Sequence, residues 1–524
     1  MSTFQSESDR SRINNVLRNS KYGLASNYFY IFLAFVARTV FINTLGTRYL
    51  GVASLYTNIL TVLSLAELGM GNVLAYSLYQ PIADRDEKKI SQILTYYQRV
   101  YFLIAGVVLV IGLCLIPFLH WIVKTSLPPD EVLLYYLFYL ANSVVSYIGV
   151  CYTTYVKAKQ QQYLADFIST FAKLVGVIGQ IVVMVIWKSF IGYLVIMVFA
   201  TLFQNLLIAA IAKKQNHLQH DRTALPTTEI QKIWDNVKST FLYRIGIVAI
   251  NYTDNILISV ILGTDYVGLY TNYAMVVSQI AVLIGIFCNA IIAGIGNLST
   301  ESDTEKAEQV FLRLVFVYHF LTAIITIGFL MVFNVFICLW IGEKHMMGMD
   351  VVLAVTFTFY ISNIINPVWM YREAYGLFKQ IRYLMVITAA VNIALSIIGG
   401  NLFGVAGIVA ATGVARCLTT VWYEPRVLYK QIFRKSPLRY WRKQLRYFLS
   451  TCIAGALVCA IRYAPVGGRL MTLPRMVQFL CMGSICVIVT VLVFVGVNYR
   501  TEEWKYWWNF AKKVLKNRGK YAKH

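Results

Sequence analysis

Charge is what this 524-residue sequence has least of: Asp, Glu, Lys and Arg together make up 14% of it. A soluble domain carries about 25%. A chain this long could not cover a soluble surface with so few charges, which excludes an ordinary cytosolic enzyme. Its 58% of hydrophobic residues equally excludes a disordered chain. Motifs for chemistry are missing too. There is no GxxxxGK[ST], hence no P-loop for ATP hydrolysis, and no HExxH or metal-ligand cluster. His217-Leu218-Gln219-His220 is a lone pair in a polar segment. Asp84-Arg85-Asp86 has the look of a nucleotide-sugar transferase DxD. Beside Glu87, Lys88 and Lys89, however, it reads as a solvated turn and helix start. None of the nine cysteines forms a CxxC; all fall in apolar runs, so a disulfide scaffold is excluded and packing is the expected role. The first apolar run is too long for a signal-peptide core, and no small-residue cleavage site follows it.

What the chain does have is long apolar runs. Fourteen segments are each long enough for a hydrocarbon core, which takes about 20 helical residues. They cover 24–45, 52–77, 100–123, 132–155, 164–187, 189–211, 239–262, 270–296, 311–341, 351–370, 383–400, 404–423, 447–463 and 476–498. The runs are continuous rather than alternating, so an all-α polytopic membrane protein is expected, not a barrel. The turns at Trp187-Lys188-Ser189 and Gly400-Asn401-Leu402-Phe403 are short.

The 47 Lys+Arg exceed the 24 Asp+Glu by 23. In a soluble protein that excess would suggest nucleic acid; here it sorts by side. With the N-terminus cytoplasmic, 36 of the 47 fall in inside segments, seven in outside loops and four within spans. That asymmetry is a positive-inside signature, with both termini on the cytoplasmic side of a cell membrane and no nucleic-acid partner.

An internal repeat organises the spans. Leu45-Gly46-Thr47-Arg48-Tyr49-Leu50-Gly51 and Leu262-Gly263-Thr264-Asp265-Tyr266-Val267-Gly268 both read LGT-x-Y-x-G, 217 residues apart. Each follows the first helix of a six-helix block, so the two blocks have the same orientation, as in transporters built from parallel halves. The glycines suit tight turns with unusual backbone angles. The expected organisation is a cytoplasmic segment 1–23, an N-lobe 24–211, a linker 212–238 and a C-lobe 239–423. A basic linker 424–446, two extra helices in 447–498 and a basic aromatic tail 499–524 follow. A cleft between two such lobes is where alternating access usually operates. In the tail, Trp504, Trp507, Trp508 and Phe510 among many lysines suggest a helix lying on an anionic leaflet. The 36 tyrosines are expected mostly in an interfacial belt.

Ionisable groups at membrane depth are functional candidates. They are Arg38, Glu67, Lys173, Arg244, Asp254 and Arg416. Arg38 lies roughly 12 Å and Asp254 roughly 13 Å below their repeat glycines at a rise of about 1.5 Å per residue. An Arg38–Asp254 ion pair is one expectation and Arg38–Glu67 a competing one. Four basic groups against two acids make a cavity that would attract a phosphate or pyrophosphate, which Arg binds in bidentate fashion. The same charges could instead pair with one another for structure or snorkel. The external loops are short, which counts against a membrane-embedded enzyme.

The chain resembles a Wzx-type polysaccharide flippase of the multidrug/oligosaccharidyl-lipid/polysaccharide exporter superfamily. The likeness rests on Arg38-Thr39-Val40-Phe41 through Leu45-Gly46, Tyr49-Leu50-Gly51, Leu65-Ala66-Glu67-Leu68-Gly69 and Ser77 through Ala83. In the second half it rests on Thr253 through Ser259, Tyr371 through Gln380, Asn392 through Ser396 and Phe403 through Gly407. It extends over about residues 15–500.

The resemblance implies two six-helix lobes around a cationic cavity and transport of undecaprenyl-pyrophosphate-linked oligosaccharides between leaflets, for capsule, O-antigen or exopolysaccharide. It makes Arg38, Arg244, Arg416 and Lys173 candidates for substrate contact. Asp254 and Glu67 become candidates for gating or cation coupling, with H⁺ or Na⁺ as the ion and no other cofactor. Membrane lipids and other polysaccharide assembly proteins are the implied partners. The alternatives are a peptidoglycan-precursor or teichuronic-acid flippase, a cation-coupled drug antiporter, a membrane-embedded glycan-modifying enzyme or an assembly scaffold. A drug exporter would favour an acidic site, whereas this one is basic.

Overall fold

A computed structural model describes residues 29, 31–64, 70–216, 225–295 and 304–521. Among these residues there are helices and turns but no strand. That is the expected class, since a backbone in hydrocarbon must satisfy its own hydrogen bonds.

Local signals set the helix ends. Helix α1 covers Ile31–Thr44. It ends at Gly46, whose φ of 90° suits glycine, and α2, Thr47–Leu63, starts at once. Helix α3 is Met70–Asp84, and Asp86 caps α4, Glu87–Cys114, by accepting from Lys89 N–H at 2.9 Å. The Asp84-Arg85-Asp86 motif is thus a turn and helix cap, as expected. Pro129 opens α5, Pro129–Ser146, which meets α6, Val150–Ala158, at a 41° bend where Gly149 has φ 75°. The first half continues with α7, Gln162–Trp187, α8, Phe190–Asn216, α9, Thr227–Leu262, and α10, Thr264–Ile295.

The second half holds α11, Thr304–Ile341, α12, Met349–Ile364, α13, Asn366–Ala374, and α14, Phe378–Leu418. It ends with α15, Thr420–Leu428, α16, Leu438–Tyr463, α17, Arg475–Asn498, and α18, Glu502–Tyr521.

Helix α14 is two passes. Gly404 has φ 61° and ψ −140°, and the chain doubles back there. Thr412 Oγ1 donates to Asn392 Oδ1 at 3.1 Å, and Gly399 and Gly407 meet backbone to backbone. These pairs straddle Gly404 nearly symmetrically, as an antiparallel hairpin requires. The turn read at 400–403 is therefore present.

Ten helices among the described residues are long and apolar enough to cross a membrane, or eleven with the bent α5–α6 pair as one span. The first of the fourteen segments is described only over 31–44 and the second only on either side of residues 65–69, and the eleventh and twelfth, the two passes of α14, stand as one helix in that number.

The chain divides into two compact units. The first is Met1–Thr271 with Met385–Ala389, and the second is Asn272–Leu384 with Ala390–His524. The first unit thus runs through α9, past residue 239 where the second six-helix block begins. It takes in 385–389 because Gly246 of α9 lies directly against the Met385 backbone. In the second unit α11 is the central helix. Its Ile327 and Met331 pack with Ala454 and Val458 of α16 and Met482 and Cys486 of α17. Lipid tails are as apolar as these side chains, so close packing rather than escape from water holds such helices together. All nine cysteines are free thiols.

Candidate functional site

The repeat glycines form the first notable feature. Gly46 and Gly263 both take positive φ, 90° and 111°, so each copy turns the same way between its helices. The two copies then pack on each other within the first unit. A Cβ on Gly51 would overlap the carbonyl oxygen of Thr264, and a Cβ on Gly268 would overlap that of Thr47. Residue i of one copy meets residue j of the other and the reverse also holds, which is the signature of twofold-related surfaces. Arg48 and Asp265, the variable position of the motif, face each other at 3.7 Å. Residues 122–124 brace the second copy: Thr264 N–H donates to Lys124 O at 2.9 Å and Ser259 Oγ to Ile122 O at 2.6 Å. The match of two seven-residue motifs is therefore a physical seam between α1–α2 and α9–α10.

Below this seam lies Arg38, on α1. Its Nη1 is buried and has no hydrogen-bond partner among the described residues. Tyr139 of α5 and Tyr193 of α8 lie within electrostatic reach of the guanidinium. The surroundings are aromatic. Phe41 packs edge-on to Phe190 and Tyr193, and Tyr56 packs against Tyr136 and Tyr139. Tyr56 donates to Val132 O and Tyr136 to Gly112 O, both at 2.8 Å, so the walls are fixed by their own bonds. A buried guanidinium without a full set of acceptors is costly, and an anion would satisfy it.

The structure does not form the Arg38–Asp254 pair. Both residues belong to the first unit, yet no ion pair joins them among the described contacts. Asp254, half-buried on α9, lies within reach of Tyr270 of α10. Equal depth from repeat glycines fixes a level along the helix axis but not the direction a side chain points. Glu67 lies outside the described residues. Arg244 is half-buried on α9, two residues before Gly246. Lys173 is exposed on α7, with Asp166 two turns earlier within electrostatic reach.

Arg416, in the second unit, is arranged differently. It is buried, donates to Ser362 Oγ, and sits 5.4 Å from the Trp369 ring centroid. Trp369 also carries Arg372 at 5.8 Å and donates through Nε1 to Glu424 at 3.2 Å. Arg372 and Glu424, both buried, form a 2.6 Å ion pair. Arg416 therefore belongs to a packed charge cluster that ties α12 and α13 to α14 and α15.

Sequence reasoning missed this cluster. Arg372 falls between the apolar runs 351–370 and 383–400, and Glu424 opens the basic linker 424–446. The available signal was that both adjoin apolar spans, one on each side.

Eight of the 36 tyrosines have a packing role. Tyr56, Tyr97, Tyr101, Tyr136, Tyr155, Tyr273, Tyr429 and Tyr447 are fully buried between helices, so packing rather than an interfacial belt accounts for them. His217 and His220 lie outside the described residues. No group of three metal-ligating side chains occurs among the described residues.

The fold is that of a multi-span helical membrane protein. A solved structure described as "Lipid II flippase MurJ, inward closed conformation" superimposes with TM-score 0.68 at 13% identity, covering 91% of this chain and 98% of that one. An inward-facing multidrug resistance MATE family transporter of the MOP superfamily gives 0.56 at 15%, covering 79% and 99%. Its outward-facing counterpart gives 0.51 at 14%, covering 79% and 95%. A family profile described as polysaccharide biosynthesis protein matches residues 16–292, and the chain belongs to that family. No curated protein matches it significantly. The chain is thus a member of the polysaccharide biosynthesis protein family, in line with the sequence resemblance, and shares its helical fold with those solved transporter structures.

Proposed function

We propose that this protein flips undecaprenyl-pyrophosphate-linked oligosaccharide repeat units across the bacterial cytoplasmic membrane by alternating access, both termini cytoplasmic, for cell-surface or exported polysaccharide. The observation that carries this reading is Arg38, a buried guanidinium with an unpartnered Nη1 among tyrosines. A pyrophosphate supplies the acceptors it lacks, and the rings offer faces for sugars. The seam at Gly51 and Gly268 closes the external end and separates when the carrier opens outward. Arg244 and Lys173 add positive potential along the path. Asp254 and Glu67 couple the step to H⁺ or Na⁺.

The test is depletion of the protein, followed by identification of the lipid-linked glycan that accumulates on the cytoplasmic leaflet. Accumulation of a repeat unit, relieved by the wild-type gene and by Arg38→Lys in part but not by Arg38→Ala, is the expected result. No accumulation sinks the reading. The likeness to a lipid II flippase over 91% of the chain favours, as a second reading, a peptidoglycan precursor on the same carrier. Accumulated lipid II instead of a repeat unit would select it.

A further inference from the structure

We infer that the tail helix α18 carries a binding surface for anionic phospholipid headgroups, held at headgroup depth by the second unit. One face of α18 is docked. Trp507 Nε1 donates to Arg313 O of α11 at 3.2 Å, and Arg313 lies 3.8 Å from the Tyr506 ring. Trp504 packs edge-on to Phe316. Glu503, buried, pairs with Lys443 of α16 at 2.5 Å, and Glu502 with Arg439 at 3.1 Å. Both acids at the start of the helix are thereby spent on the bundle. The opposite face carries Lys505, Trp508 and Lys512, spaced i, i+3 and i+7, all exposed. Trp508 is 50% exposed, stacks on Trp504 and lies beneath Lys512 Nζ at 5.2 Å.

Three markers give the depth of this face. Phe316 precedes the outer end of α11, Ile341, by 25 residues. That is roughly 37 Å of helix, about 7 Å more than a hydrocarbon core of about 30 Å. On α16 the exposed arginines Arg439, Arg442 and Arg446 end three residues after Lys443, and Phe448, Leu449 and Ile453 are exposed beyond them. On α17 the exposed apolar surface ends at Val497 and Tyr499, three residues before α18 begins. Each marker places α18 at the edge of the hydrocarbon, on the side that carries the basic segments. A tryptophan between two exposed lysines at that level matches a lipid surface of negative charge. The sequence beyond adds Lys513, Lys516, Arg518 and Lys520.

The experiment compares the full-length protein in nanodiscs of phosphatidylcholine with nanodiscs containing phosphatidylglycerol, by hydrogen exchange over residues 502–521. Slower exchange in the anionic discs is expected, by about thirty-fold for two lysines near a charged surface. That difference should vanish in Lys505→Glu/Lys512→Glu and shrink in high salt. Trp508→Ala should raise exchange in both lipids, with the bundle elsewhere unchanged. Equal exchange in the two lipids overturns the proposal. So does full protection in the charge-reversed variant, which would point to an acidic protein or to bundle contacts alone. Neither result depends on what the protein transports.

Discussion

Arg38 and Arg416 are both buried arginines on membrane-depth helices, one in each compact unit, and their surroundings differ. Arg416 has a hydroxyl acceptor, an indole face and a nearby buried carboxylate, supplied by α12, α13 and α15. Arg38 has tyrosine rings around it and a terminal nitrogen with no acceptor among the described residues. A buried charge with its partners in place is an element of structure. One that lacks them is a place for a ligand, because the cost of burial is met only when an anion arrives. Partnering thus separates two residues that composition and depth treat alike.

Removing a partner from the second unit should have the largest effect on stability. Glu424→Ala takes from the buried Arg372 its one buried carboxylate and leaves it only the exposed Glu373 at 3.5 Å, so a loss of about 3–5 kcal/mol is expected, seen as a lower melting temperature of the purified protein. A variant as stable as the wild type would remove the distinction from Arg38.

Next comes the seam. Gly268→Val forces a side chain onto the Thr47 carbonyl, a backbone atom that cannot yield, and should cost about 1–3 kcal/mol. The same change at Gly285, around which a Cβ meets nothing, tests whether the position or the residue type is responsible.

Arg38→Met should behave in the opposite sense to Glu424→Ala. Replacing an incompletely paired buried ion by an apolar side chain is often neutral or stabilising, so the melting point should hold or rise while complementation is lost. A fall of several degrees would place Arg38 with Arg416 as structural.

The smallest effect concerns pH. His345, in the turn Glu343–His345 outside the spans, is buried, and burial, with Lys344 beside it, holds its pKa below the usual 6.5. The unfolded chain takes up the proton first, so the stability from this site is present above about 6.5 and lost as pH falls through the folded value. Melting curves at pH 7.5 and 5.5 should differ less in His345→Gln than in the wild type.

Several elements were legible in the residues. Apolar run length identified spans such as α4, α7, α8, α11 and α17, because a helix in hydrocarbon needs little more than length and apolarity. The cap at Asp86 and the positive-φ glycines of the repeat were legible because they depend on adjacent residues. The partnering of charges was not. Arg372 and Glu424 lie 52 positions apart, and Arg416 and Glu424 are brought to Trp369 and Arg372 of α13 only by the α14 hairpin. The Arg38–Asp254 pair failed for the same reason, since matched depth leaves the azimuth of each side chain open.

The sequence by itself determined that this is a polytopic helical membrane protein with a duplicated turn and an excess of buried base. Those features follow from length, hydropathy and local backbone chemistry, which each short segment carries alone. Only the tertiary structure decided that Gly51 and Gly268 meet, that Arg416 has its partners while Arg38 Nη1 has none among the described residues, and that the tail helix is seated on α11 and α16. Each of those depends on which faces of distant helices pack together, and packing direction is a property of the whole bundle rather than of any one run of residues.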